Sequence, residues 1–216
     1  MKWISYFFAF NIPFYIYKLK TGDTIIKSNN NFDTKSIVIL YGIVYITQIF
    51  SNQEVLPITI LHKNNIIDIQ NYSTSTKSYY NITSLQETYL VSFSYKNIIT
   101  KNNISKIFLK YYLTNYKLTL FNQRMLNYIL IQKNTQRRII QLIILLSIQF
   151  GIISQEFIKI PFKIHKRDIA KITGSNINTT NKTFKILESK KIIHYSKYNL
   201  LLIQNSFLVE FIYLLH

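Results

Sequence analysis

Apolar residues in the first half of the chain come in short, β-branched runs. Ile37, Val38, Ile39 and Leu40 lead into Gly42, and Ile43, Val44 and Ile46 leave it; residues 55–61 and 89–93 are further runs. Polar clusters separate them, Ser28-Asn29-Asn30-Asn31 and Ser73-Thr74-Ser75-Thr76 among these. Short runs between turn formers predict strands. Their succession from about residue 16 to 95 predicts a small antiparallel barrel or sandwich. From about residue 104 the period changes. Leu118, Phe121, Met125, Tyr128 and Gln132 alternate in steps of three and four, which places them on one seam of a long helix. Such a seam serves equally as a core face against the strands or as a coiled-coil contact with a second copy. Residues 137–150 predict another helix, and Gly151 after it suits a left-handed cap. A strand-like stretch follows (157–162), then two compact helices (about 166–173 and 176–189). A β-ribbon ends the pattern, its strands at 191–195 and 200–203 flanking residues 196–199.

Two apolar segments raise the question of a membrane. Residues 3–17 are aromatic and apolar, but Asn11 and Pro13 interrupt them. The run falls short of the roughly 20 apolar residues of a bilayer span. It also lacks the small-residue cleavage site of a secretory signal, so it reads as an N-terminal helix packed on the first domain. Residues 139–153 contain Gln141, Ser147 and Gln149, which suit a buried helix.

Charge changes the picture. The chain has 26 basic and 9 acidic residues, net +17. Residues 1–100 hold 8 basic and 5 acidic residues, whereas residues 101–216 hold 18 and 4. A cationic C-terminal half points to a polyanionic partner and to two modules, one of which meets the anion. The excess of Lys, Asn, Ile and Tyr also matches A/T-rich codons, so placement carries more weight than count. Cysteine is absent, which removes disulfides, thiolate metal sites and thiol nucleophiles. His62, His165, His194 and His216 are scattered, with no two at metal-ligand spacing. Paired carboxylates, a nucleophile elbow and a glycine-rich phosphate loop are also missing. The sequence therefore reads as no enzyme, and no catalytic or metal-binding residue is assigned.

Residues 168–187 have the layout of a helix-turn-helix. Ala170 suits a close helix crossing, and Gly174 suits the positive φ of a sharp turn. Ile169, Ile172, Phe184 and Leu187 make an apolar seam beneath, and Ser175 or Asn176 can cap the second helix. That leaves the first turns of the second helix free to enter a major groove. Lys163, Lys166, Arg167, Lys171, Lys182, Lys185, Lys190, Lys191 and Lys197 surround this segment and would meet phosphates. The ribbon after it reads as a wing, with Lys197 and Tyr198 at its tip.

Residues 138–151, then Ile169-Ala170 and Gly174-Ser175, then residues 187–193 resemble the C-terminal domain of catabolite-activator/FNR-type transcription regulators. The likeness is greatest to the NtcA-type nitrogen regulators of cyanobacteria and red-algal plastids. Weaker similarity extends upstream, through residues 20–26 and 40–46. The resemblance implies an α+β chain with three parts: an N-terminal cyclic-nucleotide-binding-type β-barrel (jelly roll, 1–103), a long dimerisation helix (104–134) and a C-terminal winged helix-turn-helix (135–216). It further implies a homodimer on double-stranded DNA in the plastid stroma, contact with RNA polymerase, no membrane partner, and 2-oxoglutarate as effector.

Two departures qualify this. Aligned from Gly174, arginines usual in the family fall at Ile177 and Lys182. Arginine grips guanine with two hydrogen bonds, lysine acts as a point charge, and isoleucine can only touch a thymine methyl. A shifted or relaxed operator preference is therefore expected. Asn178, Asn181 and Lys182 are the candidates for base contact. Ser175, Asn176, Ile177 and Thr179 belong to the same helix start, with Thr179 and Thr180 meeting phosphate or turning inward. Lys166, Arg167 and Lys197 are assigned to the backbone. The effector stretch, residues 67–80, lacks the family's glycine turn and its carboxylate-gripping arginine. Lys77, with Tyr79, is a weak substitute, and Thr119 stands where a second ligand arginine aligns. Binding of 2-oxoglutarate is expected to be weakened or lost, so no cofactor is assigned. Two alternatives stay open, an effector-independent architectural DNA-binding protein and a basic peripheral membrane protein.

Overall fold

The computed structural model describes residues 2–28, 35–68, 78–94, 96–99, 106–196 and 200–204. The chain forms two compact units, Met1–Met125 and Leu126–His216. The first contains α1 (Lys2–Ala9), β1 (Phe14–Leu19), β2 (Thr24–Ser28), β3 (Lys35–Tyr41), β4 (Ile43–Phe50), β5 (Val55–His62), β6 (Ile66–Ile67), β7 (Ser78–Ser84), β8 (Thr88–Ser94) and α2 (Lys96–Ile99). It also holds most of α3 (Lys106–Leu130), within which the boundary falls. The second contains α4 (Thr135–Phe150), β9 (Ile152–Ile153), β10 (Phe157–Lys159), α5 (Lys166–Thr173), α6 (Ile177–Ser189), β11 (Ile193–Tyr195) and β12 (Leu201–Gln204).

The strands of the first unit make two antiparallel sheets, ordered β1-β8-β3-β6 and β2-β7-β4-β5. Leu19, Ile37, Ile39 and Leu90 from one sheet meet Val44, Ile46, Leu61 and Ile82 from the other. Each such side chain contributes about 1.5–3 kcal/mol when fully buried. The first sheet is covered on its outer face too. There Val38, Leu40, Val91 and Phe93 pack with Trp3 and Phe7 of α1 and with Phe108 and Tyr112 of α3. Both faces of β3 are thus buried, which accounts for its unbroken apolar run in place of an alternating pattern. The N-terminal stretch packs on the strands as a helix, as its composition predicts.

The buried face of α3 is not the seam legible in the sequence. Phe108, Tyr112, Asn115, Thr119, Asn122, Leu126 and Ile129 are the buried residues, also in steps of three and four. Phe121 and Tyr128 are 54% and 61% exposed, so the core-face reading of that seam is overturned. The helix ends at Leu130, and Gln132 lies beyond it. Asn115, Thr119 and Asn122 hide the true face from a search for apolar periodicity. Their polar groups are matched inside the first unit. Thr119 Oγ1 accepts from the Ile66 N–H (2.8 Å) and Asn122 Nδ2 donates to Asn65 Oδ1 (3.0 Å).

In the second unit α4 is buried continuously from Leu142 to Ser147. Asn134 caps it, its side chain accepting from the N–H groups of Gln136 (2.8 Å) and Arg137 (3.3 Å). Gly151 corrects an expectation: its φ of −64° and ψ of 134° are extended, not left-handed. Glycine is required for space. A Cβ there would run into the backbone oxygen of Ser147 and into Ile158 Cγ2. The strand expected over 157–162 is only the three residues of β10, which pairs with β9 and β12 in a small antiparallel sheet ordered β11-β12-β10-β9. Among the described residues, no helix is long and apolar enough to cross a membrane.

Candidate nucleic-acid interface

Helix α5 opens after His165, and Asp168 in its first turn complements the positive end of the helix dipole. Gly174 ends it in the left-handed conformation (φ 59°, ψ 35°), and the Ser175 N–H returns to the Ala170 carbonyl at 2.9 Å. A side chain at Gly174 would make this turn costly. Asn176 then caps α6, its side-chain oxygen accepting from the Thr179 N–H at 2.7 Å. Of the two capping candidates the structure selects Asn176. The apolar seam is as expected, with Ile169, Ile172, Phe184 and Leu187 all buried, and Ala170 beside them.

Beneath the turn runs a chain of hydroxyls. Thr173 Oγ1 lies 2.8 Å from Ser175 Oγ, which lies 3.1 Å from Thr180 Oγ1. The Thr180 hydroxyl also donates to the Asn176 carbonyl (3.1 Å), and that of Thr183 to the Thr179 carbonyl (2.9 Å). Thr173, Thr180 and Thr183 are buried, and buried hydroxyls are tolerated only when paired in this way. Arg138 reaches the turn from α4, its Nη1 donating to the Thr173 carbonyl at 3.4 Å while Nε donates to the Gln132 carbonyl at 2.6 Å.

A second fastening joins α5 to α6 and β11. Lys166 Nζ sits 4.9 Å from the ring centre of Phe184 and 4.8 Å from that of Tyr195. The two rings meet edge to face at 5.3 Å. The Tyr195 hydroxyl donates to the Ile164 carbonyl at 2.9 Å, and burial pushes its pKa up.

These contacts sort the candidate residues. Ser175 and Asn176 are engaged in the turn, Thr180 is buried, and Lys166 is held between two rings. The outward face of α6 carries Ile177, Asn178, Lys182, Lys185 and Ile186, all exposed, with Asn181 and Thr179 half-buried. Lys163, Arg167, Lys171, Lys190 and Lys191 are exposed around it. Among the described residues none of these cations has a carboxylate within ion-pair distance. Lys197 lies outside the described residues. The ribbon leading to it is fixed by Ser196, whose N–H donates to the Leu200 carbonyl (2.9 Å) and whose Oγ accepts from the Leu200 N–H (3.1 Å). The Lys166 clasp and the Arg138 tie carry no sequence signal, because both depend on partners distant along the chain.

The first unit encloses a cavity of about 220 Å³ between its strands and α3. Ile58, Leu61, Ile67, Tyr80 and Leu120 line it, with Asp68, Thr119 and Gln123 as polar members. Of the two effector candidates, Lys77 lies outside the described residues. Tyr79 does not line the cavity: strand alternation turns Tyr80 inward and leaves Tyr79 exposed. Thr119, where the resemblance places an arginine, is engaged by its bond to Ile66 and by a second, to the Asn115 carbonyl (3.2 Å).

No family model matches the chain. A protein of Porphyra purpurea named as an HTH-type transcriptional regulator, ycf28, is 27% identical over 199 residues, 88% of this chain and 79% of that protein. Among solved structures, CLP of Xanthomonas campestris, titled a c-di-GMP-responsive global regulator, superposes with a TM-score of 0.70 at 12% identity, covering 93% of this chain and 97% of CLP. TTHB099 of Thermus thermophilus, titled a transcriptional regulator of the CRP family, gives 0.68 at 12% identity over 88% of this chain and 92% of that one. All three are named as regulators, two of them as transcriptional regulators. By these superpositions the chain has the fold of CRP/FNR-type transcription regulators.

Proposed function

We propose that the chain is a sequence-specific, double-stranded-DNA-binding transcription regulator, acting as a homodimer through a winged helix-turn-helix. The observation that carries this reading is the outward face of α6. Asn178, Asn181 and Lys182 stand on a helix whose start is capped and whose turn is locked by hydroxyls, with a ring of exposed cations around it. Asparagine and lysine read base edges, and the surrounding lysines supply sequence-independent affinity for phosphate. The apolar residues Leu113, Leu120, Phe121 and Tyr128, exposed on α3, support pairing of two copies along that helix. The Porphyra purpurea relative supports a plastid stromal setting, and the likeness to NtcA-type regulators supports nitrogen-related genes and contact with RNA polymerase. An effector role for 2-oxoglutarate finds no support in the barrel cavity, where the charged lining residue described is the carboxylate of Asp68.

The test is a footprint on fragmented plastid DNA at near-physiological salt with excess nonspecific DNA, with and without 2-oxoglutarate, beside Lys182→Ala. Discrete two-fold-symmetric protection, lost in the variant and indifferent to 2-oxoglutarate, is the expected result. Uniform coating that vanishes as salt rises would instead establish the architectural reading, which Ile177 at an arginine position favours.

A further inference from the structure

Ile177 is the first residue of α6 and is exposed, whereas Thr180, Thr183, Phe184 and Leu187 are the residues the helix buries. The other exposed isoleucine of the helix, Ile186, lies more than two turns further on. At the front of α6 Ile177 is therefore the one apolar side chain among polar ones. Asn178 and Lys182 are exposed and Asn181 is half-buried. Asn176, just before them, commits its side chain to the Thr179 N–H. Among the described residues no hydrogen bond engages the side chains of Asn178, Asn181 or Lys182.

Helical spacing sorts the four residues into two pairs. Residues four apart stand one above the other, with about 5–6 Å between Cβ atoms, so Ile177 lies beside Asn181 and Asn178 beside Lys182. An asparagine amide matches the N6 donor and N7 acceptor of adenine, and an ammonium donates to guanine O6 and N7. Isoleucine has neither donor nor acceptor, and the apolar group displayed in the major groove is the C5-methyl of thymine. Against a guanine or cytosine edge Ile177 would strip water from polar groups without replacing their hydrogen bonds. Thymine and its paired adenine show the methyl and the N6/N7 pattern on the same groove edge, which suits an isoleucine and an asparagine side by side. We infer that Ile177 is a specificity-determining residue that reads the C5-methyl of a thymine, beside an adenine taken by Asn181. The half-site under α6 is then rich in A·T pairs, and guanine is left to Lys182. This rests on the proposed reading of α6 as the recognition helix and adds which bases it selects.

A duplex library randomised over two half-sites one helical turn apart is selected with the full-length protein, at near-physiological salt with excess nonspecific DNA. In the enriched duplex each thymine of one half-site is exchanged in turn for uracil, which keeps every hydrogen-bonding group and removes only the methyl. One such exchange should weaken binding of the parent about fourfold, the loss of one apolar carbon from the contact. Ile177→Ala should bind the thymine and uracil duplexes equally well. Ile177→Arg should move the preference at that position to guanine, which accepts two hydrogen bonds from a guanidinium. Because Ile177 is exposed, both variants should melt as the parent does. A library that yields no enriched sequence overturns the sequence-specific reading of α6, and this assignment with it. An enriched site at which no uracil exchange matters, or at which uracil weakens Ile177→Ala as much as the parent, overturns the thymine assignment alone.

Discussion

Lys166 offers a sharp division between a structural and a DNA-contacting role. As a basic residue at the start of α5, it reads in sequence as a phosphate contact. In the structure its ammonium lies 4.9 and 4.8 Å from two ring centres. Each cation–π contact contributes about 0.5–1 kcal/mol when partly shielded, so the pair contributes about 1–2 kcal/mol. Lys166→Met keeps the unbranched stem and its packing while removing the charge. The variant should lower the stability of the second unit by that amount, roughly a 4–16 °C fall in its melting midpoint. Denaturation followed by far-UV circular dichroism reads this loss, and Trp3 emission, which tracks the first unit, should not move. In binding to nonspecific duplex DNA, the slope of log K against log salt should match the parent, whereas Lys171→Ala, at an exposed position of the surrounding set, should reduce it by about 0.9, one phosphate contact. A Lys166→Met protein that melts like the parent yet loses about 0.9 from its slope would refute the clasp and restore the phosphate assignment.

Gly151 supplies a test of sign. Its φ suits any residue, so alanine would stabilise by about 0.4–1 kcal/mol if conformation alone mattered. Because a Cβ would strike Ser147 and Ile158, Gly151→Ala should destabilise by about 1–3 kcal/mol in urea denaturation. Phe121→Glu combined with Tyr128→Glu places charge on the exposed side of α3; sedimentation should show a monomer with sharply weaker DNA binding, and an unchanged dimer would place the contact elsewhere. His62 is half-buried, and desolvation lowers its pKa below the usual 6.5. Its neutral form is therefore favoured by folding, a contribution fully present above about pH 6.5. That contribution is lost as pH falls through the lowered value, so denaturation between about pH 7.5 and about pH 5 should show a loss in the first unit that shrinks in His62→Gln.

The helix-turn-helix is legible because its constraints are local. Gly174, Asn176 and the seam residues Ile169, Ile172, Phe184 and Leu187 lie within a few residues of what they determine, so spacing alone locates them. Gly151 shows how the same reasoning fails. Glycine after a helix usually marks a left-handed residue, but here the requirement comes from Ile158, across the β9–β10 turn, and spacing has no access to that. Ser175 and Lys166 mislead for a related reason. A hydroxyl or ammonium beside a recognition helix looks available until its partner, Thr180 in one case and Phe184 with Tyr195 in the other, is placed.

Helix α3 makes the limit clearest, because two stripes with the same three-four spacing run along it. One, with Phe121 and Tyr128, is apolar enough to be seen and stays exposed. The other is the buried one, and it reads as polar at Asn115, Thr119 and Asn122. Periodicity reports only that a face is regular; which face is covered depends on who supplies the hydrogen bonds. The turn after β5 supplies them. The Asn65 side-chain oxygen accepts both the Asn122 amide and the His62 N–H (2.8 Å), and the Ile66 N–H donates to Thr119. Polar residues on a helix thus mark the core side wherever irregular backbone, with unpaired N–H groups of its own, lies opposite. The leftover apolar stripe, with Phe121 and Tyr128, stays exposed, as the proposed pairing of two copies along this helix requires.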